Sequence, residues 1–140
     1  MMKAVFADTG YWIALSNIKD DLHQKALEVE HKLIAASAII FTSEMILTEY
    51  LNHFPKGGTH IRRQAVNFIS AMDQHPNVTV IPQDSNLFGR ALQLYGERDD
   101  QGCSLTDCSC FIIMRDHQIS EALTHDKDFE AEGFRALLRE

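Results

Sequence analysis

Short apolar segments rich in β-branched residues alternate with longer segments of helical periodicity along this chain. The segments at residues 3–7, 38–42 and 78–81 are short and apolar, which predicts three strands. A fourth strand is predicted at residues 121–124, and a short fifth strand within residues 134–138. Strands that alternate with helices in this way are typical of a sheet whose strands run parallel.

Helical periodicity fills the segments between the predicted strands. Apolar residues recur at every third or fourth position, which predicts helices that begin near residues 22, 45, 59, 85 and 105. Thr59 and Ser104 are expected to cap the helices that follow them. In the helix near residue 85, four residues are predicted to face the core: Leu87, Ala91, Leu92 and Tyr95. The pattern thus predicts an α/β fold, with a mostly parallel β-sheet of four to five strands sandwiched between α-helices.

Length and charge narrow the classes of protein to which this chain can belong. Its 140 residues suit one domain over residues 1–140, and no repeat, low-complexity tract or linker divides them. The 13 Lys and Arg residues against 20 Asp and Glu residues give a net charge of −7. That balance argues against a protein that holds polyanions by bulk positive charge. It does not argue against one that contacts phosphates through bound metal ions, so the positions of the carboxylates become the central question.

The cysteines and the absence of long apolar segments predict a cellular location. Cys103, Cys108 and Cys110 match neither a disulfide framework nor the paired cysteines of a structural zinc site. They are expected to be reduced thiols, with Cys108 and Cys110 packed in a helix. The apolar run at the N-terminus is too short for a signal peptide, and no stretch approaches the ~20 residues of a membrane helix. A cytoplasmic protein without membrane association is therefore expected.

Four acidic residues follow the predicted strands at corresponding places. Asp8 comes directly after the first strand, and Asp126 comes two residues after the fourth. Glu49 lies near the start of the helix after the second strand, and Asp107 lies in the first turn of the helix that Ser104 opens. Because ligands gather at the carboxyl ends of parallel strands, these side chains are expected to converge at one edge. Four converging carboxylates need cations to stay ionised, and such hard oxygen ligands suit Mg²⁺ or Mn²⁺.

Each acidic residue also has a structural interpretation. Asp107 fits a capping box with the serine three positions before it. Glu49 fits an exposed charge on a helix, and Asp126 and Asp128 fit a polar turn, where Asp128 is expected to be solvated. Asp8 is harder to explain structurally, because it ends a buried strand on a charge. The joint occurrence of these residues at corresponding places favours a functional site.

Four segments resemble, in order, the motifs of PIN-domain ribonucleases of the VapC-like toxin type. Residues 6–15 read FADTGYWIAL, and residues 43–51 read SEMILTEYL. Residues 104–114 read SLTDCSCFIIM, and residues 122–129 read ALTHDKDF. The resemblance therefore covers nearly the whole chain. One departure is Gly10, where the family more often carries Ser or Asn.

The resemblance implies a metal-dependent endoribonuclease that acts as a homodimer and, in prokaryotes, is blocked by a cognate antitoxin. It implies one catalytic and metal-binding quartet: Asp8, Glu49, Asp107 and Asp126. A carboxylate-held Mg²⁺ lowers the pKa of a bound water and offsets the charge that builds on the phosphate. Asp8 and Asp126 are expected to be the most direct ligands. Thr9 and Thr124 are expected to hydrogen-bond these carboxylates.

Basic residues near the motifs are candidates for contacts with the RNA backbone. They are Lys56, Arg62, Arg63, Arg98, Arg115 and Lys127. Contacts of this kind position a nucleic acid without reading its sequence. The alternative for Arg62 and Arg63 is that they belong to the polar face of a helix.

Two other classes of function remain open from the residues themselves. One is a non-catalytic PIN-fold domain that keeps the fold for dimerisation or for binding another protein. The other is a different enzyme or domain with an acidic site, such as a phosphatase or a phospho-accepting receiver. Asp8-Thr9-Gly10 lacks the second Asp of a phosphatase pair. No acidic pair precedes Asp8 and no Lys closes a late strand, which argues against the receiver.

Overall fold

Five strands form one sheet in which every neighbouring pair is parallel. The computed structural model describes residues 3–54, 58–98 and 102–140. In chain order the strands are β1 Ala4–Ala7, β2 Ile39–Ser43, β3 Val78–Ile81, β4 Glu121–Leu123 and β5 Arg135–Ala136. Their order in the sheet is β3-β2-β1-β4-β5. The predicted parallel sheet is confirmed, with five strands.

Helices flank this sheet and connect its strands. Among the described residues they are α1 Thr9–Ser16, α2 His23–Ala35, α3 Glu44–Asn52, α4 Gly58–Asp73, α5 Ser85–Glu97, α6 Leu105–Asp116 and α7 Lys127–Ala131. A 3₁₀ turn, Leu137–Arg139, follows β5. The sequence pattern predicted five of these helices but neither α1 nor α7. Helix α1 is apolar on nearly every side and α7 has five residues, so neither shows the periodic pattern that identifies an amphipathic helix.

Two predictions at the level of single residues are wrong. Helix α4 begins at Gly58, so Thr59 lies inside its first turn rather than at its cap. In α5, Leu87 and Ala91 are buried as predicted, but the side chains of Leu92 and Tyr95 are about half exposed. The prediction failed there because α5 carries apolar residues on two faces, and only one face packs on the core.

The core lies between the centre of the sheet and α6. Val5, Phe6 and Ala7 of β1 are completely buried. In α6, every residue from Cys108 to Met114 is buried. All three cysteines are buried free thiols, which confirms that part of the sequence analysis. Among the described residues, no helix combines the length and hydropathy needed to cross a bilayer.

The order of the strands places a topological switch point beside β1. The chain passes from β1 to β2 and β3 on one side, then returns to form β4 on the other side of β1. Such a switch in direction separates the two connections and opens a ligand crevice at the carboxyl ends of the strands. Ala7 pairs with Leu123 in the parallel register. The next residues, Asp8 and Thr124, therefore leave their strands side by side.

Candidate active site

Asp8 is held at the end of β1 by a hydrogen bond to each of its carboxylate oxygens. It is the N-cap of α1, and its Oδ1 accepts the Thr9 backbone N–H at 2.8 Å. Its Oδ2 accepts the Thr124 hydroxyl, also at 2.8 Å. Both bonds orient the carboxylate at the carboxyl end of β1. Gly10 follows in α1, and a Cβ at that position would meet no atom within 4 Å, so the serine more common in the family would fit.

Thr124 links the ends of the two central strands. While its hydroxyl donates to Asp8, its Oγ1 accepts the backbone N–H of Asp126 at 3.0 Å. Asp126 is in turn the N-cap of α7, and its Oδ1 accepts the backbone N–H of Asp128 at 2.9 Å. A continuous chain of hydrogen bonds therefore connects the carboxylates that follow β1 and β4.

Glu49 reaches the same edge of the sheet from α3. Ser43 ends β2 and caps α3, accepting the Ile46 backbone N–H at 3.2 Å, so the helix starts where the strand stops. Ile46 and Tyr50 are buried beneath α3, while Glu49 is exposed. The Thr9 hydroxyl donates to Glu49 Oε1 at 2.5 Å. Thr9 thus joins Glu49 to the helix that Asp8 caps.

Asp107 takes part in the predicted capping box of α6, and it also lies beside the other acidic residues, as predicted. Ser104 Oγ accepts the Asp107 backbone N–H at 3.0 Å, and Asp107 Oδ2 accepts the Ser104 N–H at 3.4 Å, which completes a capping box. The carboxylate of Asp107 also lies close enough to Asp8 and Asp126 for their charges to act on it. The capping box therefore places this carboxylate beside the other acidic residues.

Asp128 joins the site although the sequence analysis expected it in solvent. Asp107, Asp126 and Asp128 each offer a carboxylate oxygen, and these oxygens lie within 4.8 Å of one another. All three residues are half-buried. The signal that could have identified Asp128 is its spacing of two from Asp126, which places both residues in the first turn of α7.

Burial and mutual repulsion raise the pKa values of two of these carboxyl groups. Burial is the main cause that raises the pKa of Asp8 from 3.8 to about 6, and the charges of Glu49 and Asp126 raise it further. The hydrogen bonds from Thr124 and Thr9 act in the opposite direction. Burial, with the charges of Asp8 and Asp126, raises the pKa of Asp107 from 3.8 to about 7.

The donor set fits a hard divalent cation. In residues 3–54, 58–98 and 102–140, no ion pair involves Asp8, Glu49, Asp107, Asp126 or Asp128. Burial, together with the charges of these acids, raises the pKa of the Cys110 thiol and so disfavours its thiolate form. Carboxylate oxygens without thiolate or imidazole suit Mg²⁺ or Mn²⁺.

The basic residues predicted to contact the RNA backbone fall into three groups. Arg62 and Arg63 are exposed on α4, and Lys127 is exposed at the start of α7, beside Asp126. Lys56 lies outside the described residues. The remaining two, Arg98 and Arg115, both form ion pairs with the carboxylate of Glu132. Glu132 was not singled out in the sequence, since its partners come from distant segments.

Comparison with known proteins identifies a family and several relatives. The PIN domain family model matches residues 5–134. The 23S rRNA-specific endonuclease VapC20 of Mycobacterium tuberculosis, from two strains, is 29% identical over 132 residues. That match covers 93% of this chain and 95% of the relative. The predicted resemblance to PIN-domain proteins is thereby confirmed.

Solved structures show the same fold. The crystal structure of M. tuberculosis VapC20, described as a sarcin–ricin loop cleaving toxin, superimposes with a TM-score of 0.77 and 30% identity. The match covers 93% of this chain and 95% of the other. VapBC2 from Rickettsia felis, bound to a DNA fragment from its promoter, gives a TM-score of 0.65 at 15% identity, over 95% of this chain and 96% of the other. At that identity the second likeness concerns the fold alone.

Proposed function

Because this chain belongs to the PIN-domain family, we propose that it is a metal-dependent endoribonuclease, a single PIN domain over residues 1–140 and the toxin of a toxin–antitoxin pair. The observation that carries the proposal is the convergence, at the ends of β1 and β4, of carboxylates that form no ion pair within the described residues. Its relatives named VapC20 are 23S rRNA-specific endonucleases. A structured loop of ribosomal RNA is therefore the first substrate to test.

The proposal assigns the metal ion to the predicted quartet: Asp8, Glu49, Asp107 and Asp126. Mg²⁺ or Mn²⁺ bound there would lower the pKa of a water molecule and offset charge on the phosphate. Thr124 orients Asp8 and holds the backbone of Asp126, so these two carboxylates keep a fixed relation. Thr9 orients Glu49. The nearby carboxylate of Asp128 is available to enlarge the ligand set.

RNA is proposed to be held by four of the basic residues predicted from the sequence, Lys56, Arg62, Arg63 and Lys127. The other two, Arg98 and Arg115, pair with Glu132 and are proposed to hold helix α7 instead. The exposed side chains of Arg62, Arg63 and Lys127 support this role. Contacts to the backbone position the RNA, while its shape selects the cleavage site. With a net charge of −7, the protein is expected to bind RNA weakly and in a manner that depends on the metal ion.

Two protein partners and a location belong to the same proposal. A second copy of the chain is one partner, and support comes from Phe88, Leu92 and Tyr95, which form an apolar stripe on α5 and are 47%, 52% and 48% exposed. A cognate antitoxin is the other, because the relatives include a toxin. The buried free thiols support a cytoplasmic location. If α5 forms the dimer, Leu92→Asp will yield a monomer in light scattering.

The decisive experiment is cleavage of a defined RNA by purified protein. A hairpin with the sequence of the sarcin–ricin loop, and an unrelated hairpin of equal length, are incubated with Mg²⁺ or with EDTA. We expect cleavage with Mg²⁺, none with EDTA, and none by Asp8→Asn. Asp84→Asn is the matched control, because Asp84 also caps a helix through its carboxylate but lies at the start of α5. Cleavage that survives both EDTA and Asp8→Asn contradicts the proposal.

Titration with Mn²⁺ separates the enzyme from a non-catalytic PIN-fold protein. An enzyme is expected to bind Mn²⁺ in calorimetry and to lose this binding in Asp8→Asn. A wild-type protein that binds no Mn²⁺ and cuts no RNA favours the interaction domain instead.

A further inference from the structure

We propose that Glu132 is a positioning residue for the candidate active site. It is held between two arginines and thereby fixes α7, the helix that carries Asp126 and Asp128. The inference rests on the proposed function, since it concerns how the ligands of that site are kept in place. It adds a residue that lies outside the four motifs.

Glu132 is a carboxylate buried between two guanidinium groups from different helices. Its side chain is 5% exposed. Arg115, near the end of α6, places Nη2 2.5 Å from Glu132 Oε2. Arg98, the C-cap of α5, contacts both carboxylate oxygens, with Nη2 3.2 Å from Oε2. A carboxylate so poorly solvated is costly without its partners, so the two arginines determine where Glu132 lies.

Helix α7 is too short to hold its own position. Isolated helices shorter than about 12 residues are marginal in water, and α7 has five residues. Phe129 anchors its middle in the core. At its C-terminus, Gly133 has φ +98° and donates to Glu130 O, while Phe134 donates to Phe129 O, both at 3.0 Å. These two bonds form a Schellman motif, in which Glu132 is the C-cap.

The ion pair between Glu132 and Arg115 connects the two helices that supply the clustered carboxylates. Asp107 is in the first turn of α6 and Arg115 is in its last turn. Asp126 and Asp128 are at the start of α7, and Glu132 is at its end. This ion pair therefore joins α6 to α7 and keeps the carboxylates of one helix at a fixed separation from those of the other.

An aromatic cluster holds Arg115 in this arrangement. The guanidinium carbon of Arg115 lies 5.7 Å from the centre of the Phe134 ring. Phe111 of α6 packs against Phe134 and Phe129, with ring centres 6.0 Å and 5.0 Å apart. The planar fork of Arg115 is thus fixed by contacts with both an aromatic ring and Glu132.

Removing the charge of Glu132 is expected to loosen α7 and weaken metal binding. Glu132→Gln keeps the shape of the side chain but removes the negative charge that faces both arginines. In the full chain, we expect calorimetry to give a Kd for Mn²⁺ about 10-fold weaker than that of the wild type. RNA cleavage at limiting Mn²⁺ is expected to fall by about the same factor and to recover at saturating Mn²⁺. The KM for RNA is expected to stay unchanged.

Three further variants control for effects on folding. Asp116→Asn breaks the pair of Asp116 with Arg90, which joins α5 to α6 through bonds of 2.7 Å and 2.9 Å but does not involve α7. This variant is expected to bind Mn²⁺ within about twofold of the wild type. If Glu132→Gln does not fold, Arg115→Lys and Glu132→Asp replace it. Both keep the charges and lose the geometry, and both are expected to weaken Mn²⁺ binding several-fold.

The outcomes separate this inference from the proposed function. Mn²⁺ affinity of Glu132→Gln within twofold of the wild type, or an equal loss in Asp116→Asn, overturns the role of Glu132. A raised KM for RNA with unchanged Mn²⁺ affinity also overturns it, since Glu132 would then act on RNA binding. Wild-type protein that binds Mn²⁺ but cuts no RNA overturns the proposed function alone. Wild-type protein that binds no Mn²⁺ overturns both.

Discussion

Two groups of charged side chains lie at the two ends of α7, and they are built in opposite ways. The first group, at the start of the helix, consists of carboxylates that lie close to one another and that form no ion pair within the described residues: Asp8, Asp107, Asp126 and Asp128. At its end, Glu132 is paired with Arg98 and Arg115. In the second group opposite charges face each other, while the first keeps an electrostatic cost that is visible in the raised pKa values of Asp8 and Asp107. An electrostatic cost that is kept at one end of the helix and avoided at the other supports the cation site proposed at the first group.

The largest effect is expected from removing one carboxylate of the first group. Asp8→Asn should lower the rate of RNA cleavage by about 10³-fold or more, because the metal ion then loses a ligand and several kcal/mol of transition-state stabilisation. The fold should persist, since Asn caps a helix as well as Asp does. Cleavage rates and circular dichroism, measured beside Asp84→Asn, check this expectation.

Breaking the second group should lower stability, whereas neutralising the first should raise it. Without metal, Glu132→Ala is expected to reduce the free energy of unfolding by about 3 kcal/mol, because two partly buried arginines lose the carboxylate of Glu132. Asp107→Asn is expected to increase it, because a buried charge is removed. Urea unfolding at pH 8 measures both changes. If the free energy of unfolding changes with the same sign in both variants, the two groups do not differ in the way described.

The pH dependence of stability should also distinguish the groups. The pKa values of Asp8 and Asp107, about 6 and about 7, lie above the 3.8 of the unfolded chain, so the native state binds more protons between these values. The metal-free protein should therefore lose stability as the pH rises from 4 to 8. Relative to Asp107→Asn, we expect a loss of about 2 kcal/mol over this range, after allowance for partial solvation. A wild type whose stability rises relative to this variant contradicts the assignment.

A bound cation should offset much of the electrostatic cost of bringing these carboxylates together. At pH 8, Mg²⁺ at ten times its Kd should raise the free energy of unfolding by about 1.4 kcal/mol. Asp8→Asn should show little of this gain, and Glu132→Gln an intermediate gain. Thermal melts with Mg²⁺ or with EDTA measure the difference, and an equal gain in Asp8→Asn would show that the ions bind elsewhere.

The smallest effect is expected at an exposed pair. Arg90 and Asp116 are each nearly half exposed, so their contact contributes little in water. Asp116→Asn should change the free energy of unfolding by less than about 0.5 kcal/mol. Urea unfolding of Asp116→Asn and Glu132→Ala under the same conditions compares the two changes directly. A change as large as that of Glu132→Ala would mean that burial is not what separates the pairs.

The sequence was sufficient for those features that repeat along the chain. Alternating apolar segments predicted the parallel sheet, and the sheet implies that residues following its strands meet at one edge. Asp8 and Asp126 could be found in this way because each follows a central strand of the sheet. Their roles as caps of α1 and α7 were missed, since neither helix has an amphipathic period.

Features that depend on distant contacts were not visible in the sequence. The only sequence signal for Asp128 is its spacing of two from Asp126, and its approach to Asp107 depends on the packing of α6 against α7. Glu132 gives no local signal either, because its partners come from the ends of two other helices. Leu92 and Tyr95 were predicted to be buried but are exposed. A helical pattern identifies the apolar faces of a helix but not which of them the fold covers.

The position of β1 between β2 and β4 has a consequence for the order of synthesis. Asp8 and Glu49 leave the ribosome early, but Asp107 and Asp126 follow only when most of the chain has been made. β1 gains its second neighbour when β4 has emerged, and Thr124 then reaches Asp8. A chain still being translated therefore has an incomplete set of carboxylates. A protein that cuts RNA with this set is inactive toward its own messenger and ribosome until its last strands have folded.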